Sequence, residues 1–307
     1  MRKPRILIVS SKPDWHGQRL IKALTQLGAD PVVSSLESSG FALDGTTGHG
    51  LGIPELKGQL PDAVIVRTVG GGTFEQVTTR LSILHALVDL GVTVYNPPRA
   101  VERCVDKSMT SFLLAHHGLP TPPTWTTESL ERAKSIVADE TAQGHRIVFK
   151  PLFGAQGIGL KLLDAPDQLD PLPANGLYYL QRYIPPADGV WRDWRVLVVG
   201  GKAVAAMMRL GKSWITNVRQ GAACVAAPIT PELSQLSVAA ADAVGALYAG
   251  VDLVMDGQGR YSVIEVNSMP AWRGLQSVTE FDIAGLLAQD VIRRSRQSSS
   301  QKHHGCA

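Results

Sequence analysis

The stretch that most constrains this chain lies near its C-terminus. It reads Gly250-Val251-Asp252-Leu253-Val254-Met255, then Asp256-Gly257-Gln258-Gly259, then Val263-Ile264-Glu265-Val266-Asn267. Two apolar runs around an Asp- and Gly-rich turn make a hairpin. Residues two apart on a strand share a face, so Glu265 and Asn267 converge, and the hairpin lets Asp252 join them. Three oxygen donors without His or Cys suit Mg²⁺, which keeps several waters and shares its shell with substrate phosphates. Taken alone, an ordinary hairpin with a solvated polar face accounts for the same residues equally well.

Composition narrows the class. The chain has 307 residues, a hydrophobic content of 44% and a charged content of 19%. That is enough for two or three lobes with a sizeable core. A net charge of +3 is too mild for a nucleic-acid surface but suits an anionic small molecule. No apolar run approaches membrane-spanning length, and Ile6-Leu7-Ile8-Val9 is too short for a signal-peptide core. Cys104, Cys224 and Cys306 are far apart with no metal spacing, which points to a reducing, cytoplasmic setting.

The order of elements predicts a fold class. Strands are expected at 5–10, 31–35, 63–67 and 92–95, with helices at about 15–27 and 74–90, and residues 37–60 as irregular chain. Alternation of this kind is a small doubly wound α/β sheet. A helix at about 106–117, an extended linker at 120–124, a helix at about 128–143 and strands at 146–151, 160–163 and 178–183 follow. A hairpin about Gly200-Gly201, a helix at about 231–248 and a helix near 282–293 complete the pattern. The expected division is an N-terminal α/β domain over 1–100, a central lobe over 101–180, a C-terminal lobe over 181–294, and a disordered polar tail over 295–307.

Three further segments bear chemistry. Gly154-x-x-Gly157-x-Gly159 lies between two strands and lacks the order of a dinucleotide fingerprint. A flap of that kind offers backbone N–H groups to phosphates, with Lys150 placed to help; a plain Gly-rich turn with a surface Lys also fits. Arg195 or Arg209 can clamp a carboxylate or phosphate, or serve as an ion-pair partner. In the N-terminal domain, Arg67 ends a strand before Thr68-Val69-Gly70-Gly71-Gly72. Open α/β sheets bind ligands at such strand ends, so Arg67 is a candidate for an acceptor carboxylate.

Taken together, Asp106-Lys107, Val148-Phe149-Lys150, the Gly154–Gly159 loop, Gln181-Arg182-Tyr183-Ile184, Asp193-Trp194-Arg195, Asn217-Val218-Arg219-Gln220-Gly221, Asp252 and Glu265-Val266-Asn267 occur in the order of the ATP-grasp fold. The chain resembles the RimK-type L-glutamate ligases over about residues 60–290. The resemblance implies α+β lobes of the grasp behind an α/β preATP-grasp lobe. It implies ATP phosphates on Lys107, Lys150 and the loop carrying Gly154, Gln156, Gly157 and Gly159. It places adenine along Gln181, Arg182, Tyr183 and Ile184, and Mg²⁺ (or Mn²⁺) on Asp252, Glu265 and Asn267. Arg209 matches the arginine of the acyl-phosphate region, Arg195 and Asn217 match positions on the substrate and phosphate side, and Arg219 and Gly221 are further substrate candidates.

The implied reaction is ATP-dependent amide formation through an acyl phosphate. It joins L-glutamate to an amine or carboxylate of a small molecule such as a one-carbon cofactor, in a homo-oligomer like many relatives. An ATP-binding regulator without ligation and a peptide ligase of the D-alanine–D-alanine type are the alternatives. Two departures bear on the acceptor and the base. The hinge usually carries Glu where Arg182 stands, and Met208 replaces an acidic residue.

Overall fold

Ile6-Leu7-Ile8-Val9 and Ala63-Val64-Ile65-Val66 are apolar on both faces, as strands covered from both sides must be; both become central strands of a parallel sheet. The computed structural model describes residues 2–154, 157–172 and 176–304, the stretch 298–304 through its backbone. The chain begins β1 (Arg5–Val9), α1 (Trp15–Gln26), β2 (Asp30–Ser34), β3 (Gly40–Phe41), β4 (Leu51–Gly52), β5 (Ala63–Val66), α2 (Phe74–Asp89), β6 (Thr93–Tyr95) and α3 (Pro98–Val105). It continues α4 (Lys107–His116), β7 (Thr124–Thr127), α5 (Leu130–Ala142), β8 (Ile147–Lys150), β9 (Lys161–Leu163), β10 (Tyr178–Arg182), β11 (Arg192–Val199), β12 (Lys202–Leu210) and β13 (Ala223–Ala226). It ends α6 (Pro231–Val244), β14 (Tyr248–Met255), β15 (Tyr261–Asn267), α7 (Arg273–Gln276) and α8 (Ile283–His304).

Two compact units result. One takes the residues up to Glu102, Gly245–Tyr248 and the chain from Ser268 onward; the other takes Arg103–Val244 and Ala249–Asn267. In the first, the strand order is β2-β1-β5-β6, all parallel. Leu7, Val9, Val64 and Val66 pack on Ile83, Leu84 and Leu87 of α2. α8 packs against α1, β5 and β6. The side chain of Asn96 stitches the returning chain to β6: it accepts from the amides of Leu247 (2.6 Å) and Tyr248 (3.0 Å) and donates to the carbonyls of Tyr248 (2.7 Å) and Ser268 (2.6 Å). A contiguous N-terminal domain ending near residue 100 therefore omits its own last helix.

The second unit holds two sheets. The first has the order β7-β10-β8-β9, antiparallel throughout, and α5 covers it through Ala133, Ile136 and Val137. The second has the order β13-β12-β11-β14-β15, with α6 packed on β11, β12 and β15.

Several local expectations change. The polar stretch from 295 continues α8 to His304 instead of forming a disordered tail, and residues 305–307 lie outside the described ones. Arg and Gln are good helix formers, Arg293 and Arg294 both bond Asp290, and Ser295 is buried. The 120–124 linker runs into an edge strand, β7, which pairs with β10. Pro98 opens α3, a position where its missing N–H costs nothing. The helix expected to reach 248 stops at Val244, because Gly245 takes φ +78° and the following residues enter β14. The irregular 37–60 stretch contains the short β3–β4 pair.

Candidate active site

A cleft opens between the two sheets of the second unit. Its walls are Lys107, Lys150 and the Gly loop on one side, and Arg209, Trp214 to Asn217, Asp252 and Glu265 on the other, with Gln181 to Ile184 between. Each wall follows from local structure. Lys107 is the first residue of α4, whose N-cap Asp106 accepts from the amides of Ser108 (2.8 Å) and Met109 (3.2 Å). Its Nζ donates to the carbonyls of Leu152 (3.0 Å) and Gly154 (2.7 Å), pinning the base of the loop, and sits 4.0 Å from Glu265 Oε1. Burial lowers its pKa against the pull of Glu265.

Lys150 ends β8 and donates 2.6 Å to Gln181 Oε1 on the neighbouring strand. Gln181 in turn donates to Thr124 Oγ1 (3.1 Å) and Tyr179 Oη (3.3 Å). Gln181 thus positions a lysine. Burial, reinforced by the charge of Lys107, brings Lys150 down to about 8, with Glu265 and Asp252 opposing.

On the β14–β15 hairpin, Asp252 stands directly opposite Glu265, and Gly250 opposite Asn267. All three candidate donors therefore face one side. Asp252 is not bare: Arg195 grips both of its oxygens, and Arg209 Nη2 lies 3.0 Å from Oδ2. Arg209 also forks onto Asp193 through Nε (2.6 Å) and Nη2 (2.5 Å), and Thr216 Oγ1 donates to Asp193 at 2.6 Å. Buried Arg209 and the nearly buried Arg195 compensate the two buried anions, as buried charge requires. Burial works against the ionised Asp252, but Arg195 and Arg209 outweigh it and hold its carboxyl below the ordinary range. Burial instead lifts Asp193 above its range despite Arg209.

The donor set fits a hard divalent cation. Asn267 Nδ2 donates to Gly250 O at 3.3 Å, which leaves Oδ1 as the free ligand atom. Glu265 keeps 29% of its side chain exposed. A carboxylate offers about four acceptor sites, and the two arginines occupy most of those on Asp252. Among the described residues no cluster of three His, Cys, Asp or Glu forms a metal cage, as expected where phosphates complete the shell.

The hinge resolves the Arg182 departure. Arg182 turns out of the cleft and forks onto Glu140 of α5 at 2.7 and 2.8 Å. The amides of Arg182 and Tyr183 donate to the carbonyls of Pro123 (2.9 Å) and Arg146 (2.8 Å). Tyr183 carries Arg146 over its ring at 4.9 Å and meets Trp214 edge-on at 6.2 Å. Across the cleft, Gly157 has φ +73°, and a Cβ there would sit 2.5 Å from Asn217 Oδ1 and 3.0 Å from Ile215 Cγ2. Glycine is required because the loop touches the opposite wall.

The structure thus brings together Lys107, Lys150, Gly154, Gly157, Gln181 to Ile184, Arg209, Asn217, Asp252 and Glu265. Gly159, φ +75°, lies against Pro151 at the base of the loop. Arg195 contributes through Asp252. Arg219 and Gly221 form an exposed turn after Asn217. Gln156 lies outside the described residues, and Arg67 belongs to the other unit. Sequence reasoning named Asp193 only as part of a matching segment, without a role, and passed over Trp214 and Thr216. The signal for Asp193 was available, since it pairs with Arg209 across the β11–β12 hairpin.

Residues 104–291 match the model of the RimK-like ATP-grasp domain. The chain is 33% identical over 308 residues to a protein of Methanococcus maripaludis named tetrahydromethanopterin:alpha-L-glutamate ligase, covering 95% of this chain and 99% of that one. It is 36% identical over 241 residues to a protein of the same name from Methanocaldococcus jannaschii, covering 76% and 79%. Among solved structures it is similar to the ATP-grasp ligase PsnB complexed with minimal precursor, with a TM-score of 0.74 at 24% identity over 95% and 99% of the two chains. It is likewise similar to a RimK domain ATP-grasp protein from Sphaerobacter thermophilus, with a TM-score of 0.69 at 19% identity over 94% and 99%.

Proposed function

From the chain's membership of the RimK-like ATP-grasp family, we propose an ATP-dependent carboxylate–amine ligase that adds L-glutamate to a small-molecule one-carbon cofactor of the pterin type or its precursor. The observation that carries this reading is one cleft lined by two lysines, a glycine loop and the carboxylates of Asp252 and Glu265. The names of the relatives support L-glutamate and the pterin acceptor. They favour neither a nucleotide-binding regulator nor a D-alanine–D-alanine-type ligase.

Two displacements make up the reaction. A carboxylate oxygen attacks the γ-phosphorus of ATP, and the β–γ bridging bond breaks with its electron pair leaving on ADP. An amine nitrogen then attacks the acyl carbon, loses a proton, and phosphate departs. Such chemistry asks the protein for positioning and charge neutralisation. Lys107 and Lys150 offer ammonium groups to the phosphate chain, and Lys107 ties that role to the loop through Leu152 and Gly154. Glu265 and Asn267, with Asp252, would hold Mg²⁺ or Mn²⁺, which when bound neutralises charge developing on the phosphoryl oxygens. Arg209 keeps the free part of its guanidinium toward the cleft while Asp193 fixes its orientation. The glycine loop, closed against Asn217, shields the acyl phosphate from water. With the N–H groups of Arg182 and Tyr183 spent, a base is met by carbonyls, the Ile184 backbone and the Tyr183 and Trp214 rings.

The test is ADP release from ATP and Mg²⁺ with L-glutamate and a panel of reduced pterin acceptors, with mass spectrometry of the acceptor. Gain of a glutamyl residue, abolished in Glu265→Ala while the thermal transition persists, is the expected result. Unchanged turnover in Glu265→Ala would remove the metal-site assignment. ATP hydrolysis with no glutamylated product from any acceptor would remove the pterin assignment.

A further inference from the structure

The N-terminal unit has its own ligand-ready edge. Its strand order β2-β1-β5-β6 reverses direction between β1 and β5. The carboxyl ends of two such strands frame the crevice where open α/β sheets take ligands. Arg67 stands at that point, one residue past β5, and its amide donates to Val9 O at 3.0 Å. Arg67 is 9% exposed, and its Nε and Nη1 have no hydrogen-bond partner. Orphaned buried donors are rare and call for an explanation. A third lies beside them: Trp272 Nε1 is also buried and unpartnered, and its ring sits 4.7 Å beneath the Arg67 guanidinium.

The surroundings are set for one anion. His16 packs edge-on against Trp272 at 4.6 Å, accepts from the Trp272 amide through Nε2 (3.1 Å), and faces Asp14 through Nδ1 (2.8 Å). This fixes His16 as a neutral ring with its proton on Nδ1, so it places no second charge beside Arg67. Asp14, the carboxylate nearby, has its oxygens committed to the Gly17 amide (2.9 Å) and to His16, as the N-cap of α1. The Tyr248 hydroxyl donates to Val66 O at 3.1 Å and accepts a hydrogen bond from Arg67, which leaves Nε and Nη1 as its unpartnered donors. No acid neutralises Arg67 by direct contact among the described residues.

We propose that Arg67 and Trp272 form an anion subsite on the N-terminal unit that receives a carboxylate or phosphate group of the non-nucleotide substrate. Attribution to the substrate rests on the ligase reading; the anion site itself does not. The probes are glutarate, inorganic phosphate and neutral glutaramide, titrated calorimetrically into the full-length chain. Saturable binding of glutarate or of phosphate, with none of glutaramide, is expected, and the anion that binds identifies the group. Arg67→Gln should weaken that anion about tenfold or more, Arg67→Lys should fall between, and both should bind ATP–Mg²⁺ as the parent does. Should Arg67→Gln fail to fold, Trp272→Phe keeps a ring under the guanidinium and removes the Nε1 donor, and it should weaken the anion with ATP binding intact. Absence of saturable anion binding to the parent, or binding undiminished in the variants, would overturn the proposal. Anion binding that follows Arg67 in a chain that ligates nothing would leave the subsite standing and remove the ligase reading.

Discussion

Lys150 shows how one residue's surroundings set its chemistry. Burial brings it to about 8, with Glu265 and Asp252 restraining the fall, so in the free protein it loses its proton as pH rises through about 8. A polyphosphate favours the charged form and raises that pKa. The complex therefore holds more protons than the free protein above pH 8. Linkage then makes ATP affinity flat below about pH 7 and falling as pH rises through 8, by at most tenfold per pH unit. Calorimetry of ATP binding at pH 8.5 in two buffers of different ionisation heat should register net proton uptake, and Lys150→Met should abolish it. Uptake unchanged in the variant would mean another group is titrating. The role of Lys150 was legible from its distance to the glycines. Its bond to Gln181 was not, because cross-strand neighbours depend on register. Arg182 makes the same point. Its charge looked like a reversal at the base site, whereas the side chain reaches Glu140, forty-two positions earlier in sequence.

At the scale of elements, two antiparallel pairs carry the cleft. The β8–loop–β9 flap and the β14–β15 hairpin were both readable, since apolar runs broken by Gly and Asp specify strands and turns with local information. The partner of the flap was not readable. Gly157 is held to glycine by Asn217 and Ile215, whose loop follows a different strand. A β-branched side chain there meets both a positive φ and a wall. Gly157→Val is accordingly expected to cut kcat by about a hundredfold, the loss typical of misplaced reacting groups, while the thermal transition moves little. Steady-state assays beside a thermal melt check this, and near-parent kcat would show that the loop need not close. β7, hidden in a Pro-rich stretch, was missed because prolines flank edge strands as readily as linkers.

For the molecule as a whole, the doubly wound sheet and the grasp sheets could be anticipated, but the path of the chain between units could not. Residues 245–248 and the segment from Ser268 onward return to the first unit. Local periodicity says nothing about such long-range pairing. α8 buries Ile283, Leu287, Val291 and Ile292 there, and Asp290 accepts from the Tyr95 hydroxyl at 2.9 Å. Each such aliphatic side chain contributes about 1.5–3 kcal/mol, and together they rival the whole net stability of a domain. A chain ending at residue 282 should therefore lack a cooperative melt for the first unit, whereas one ending at residue 297 should retain it. Circular dichroism melts of the two truncations decide the matter; a full transition in the shorter chain would show α8 to be dispensable.

The same closing helix has a consequence for how the protein is made. A ribosome releases β1 long before the helix that covers its sheet. Domains ordinarily fold in the order they emerge, but here an early strand must wait for a helix that follows the whole second unit. During that wait the uncovered face of β5 and β6 is the nascent chain's point of exposure to chaperones and to aggregation.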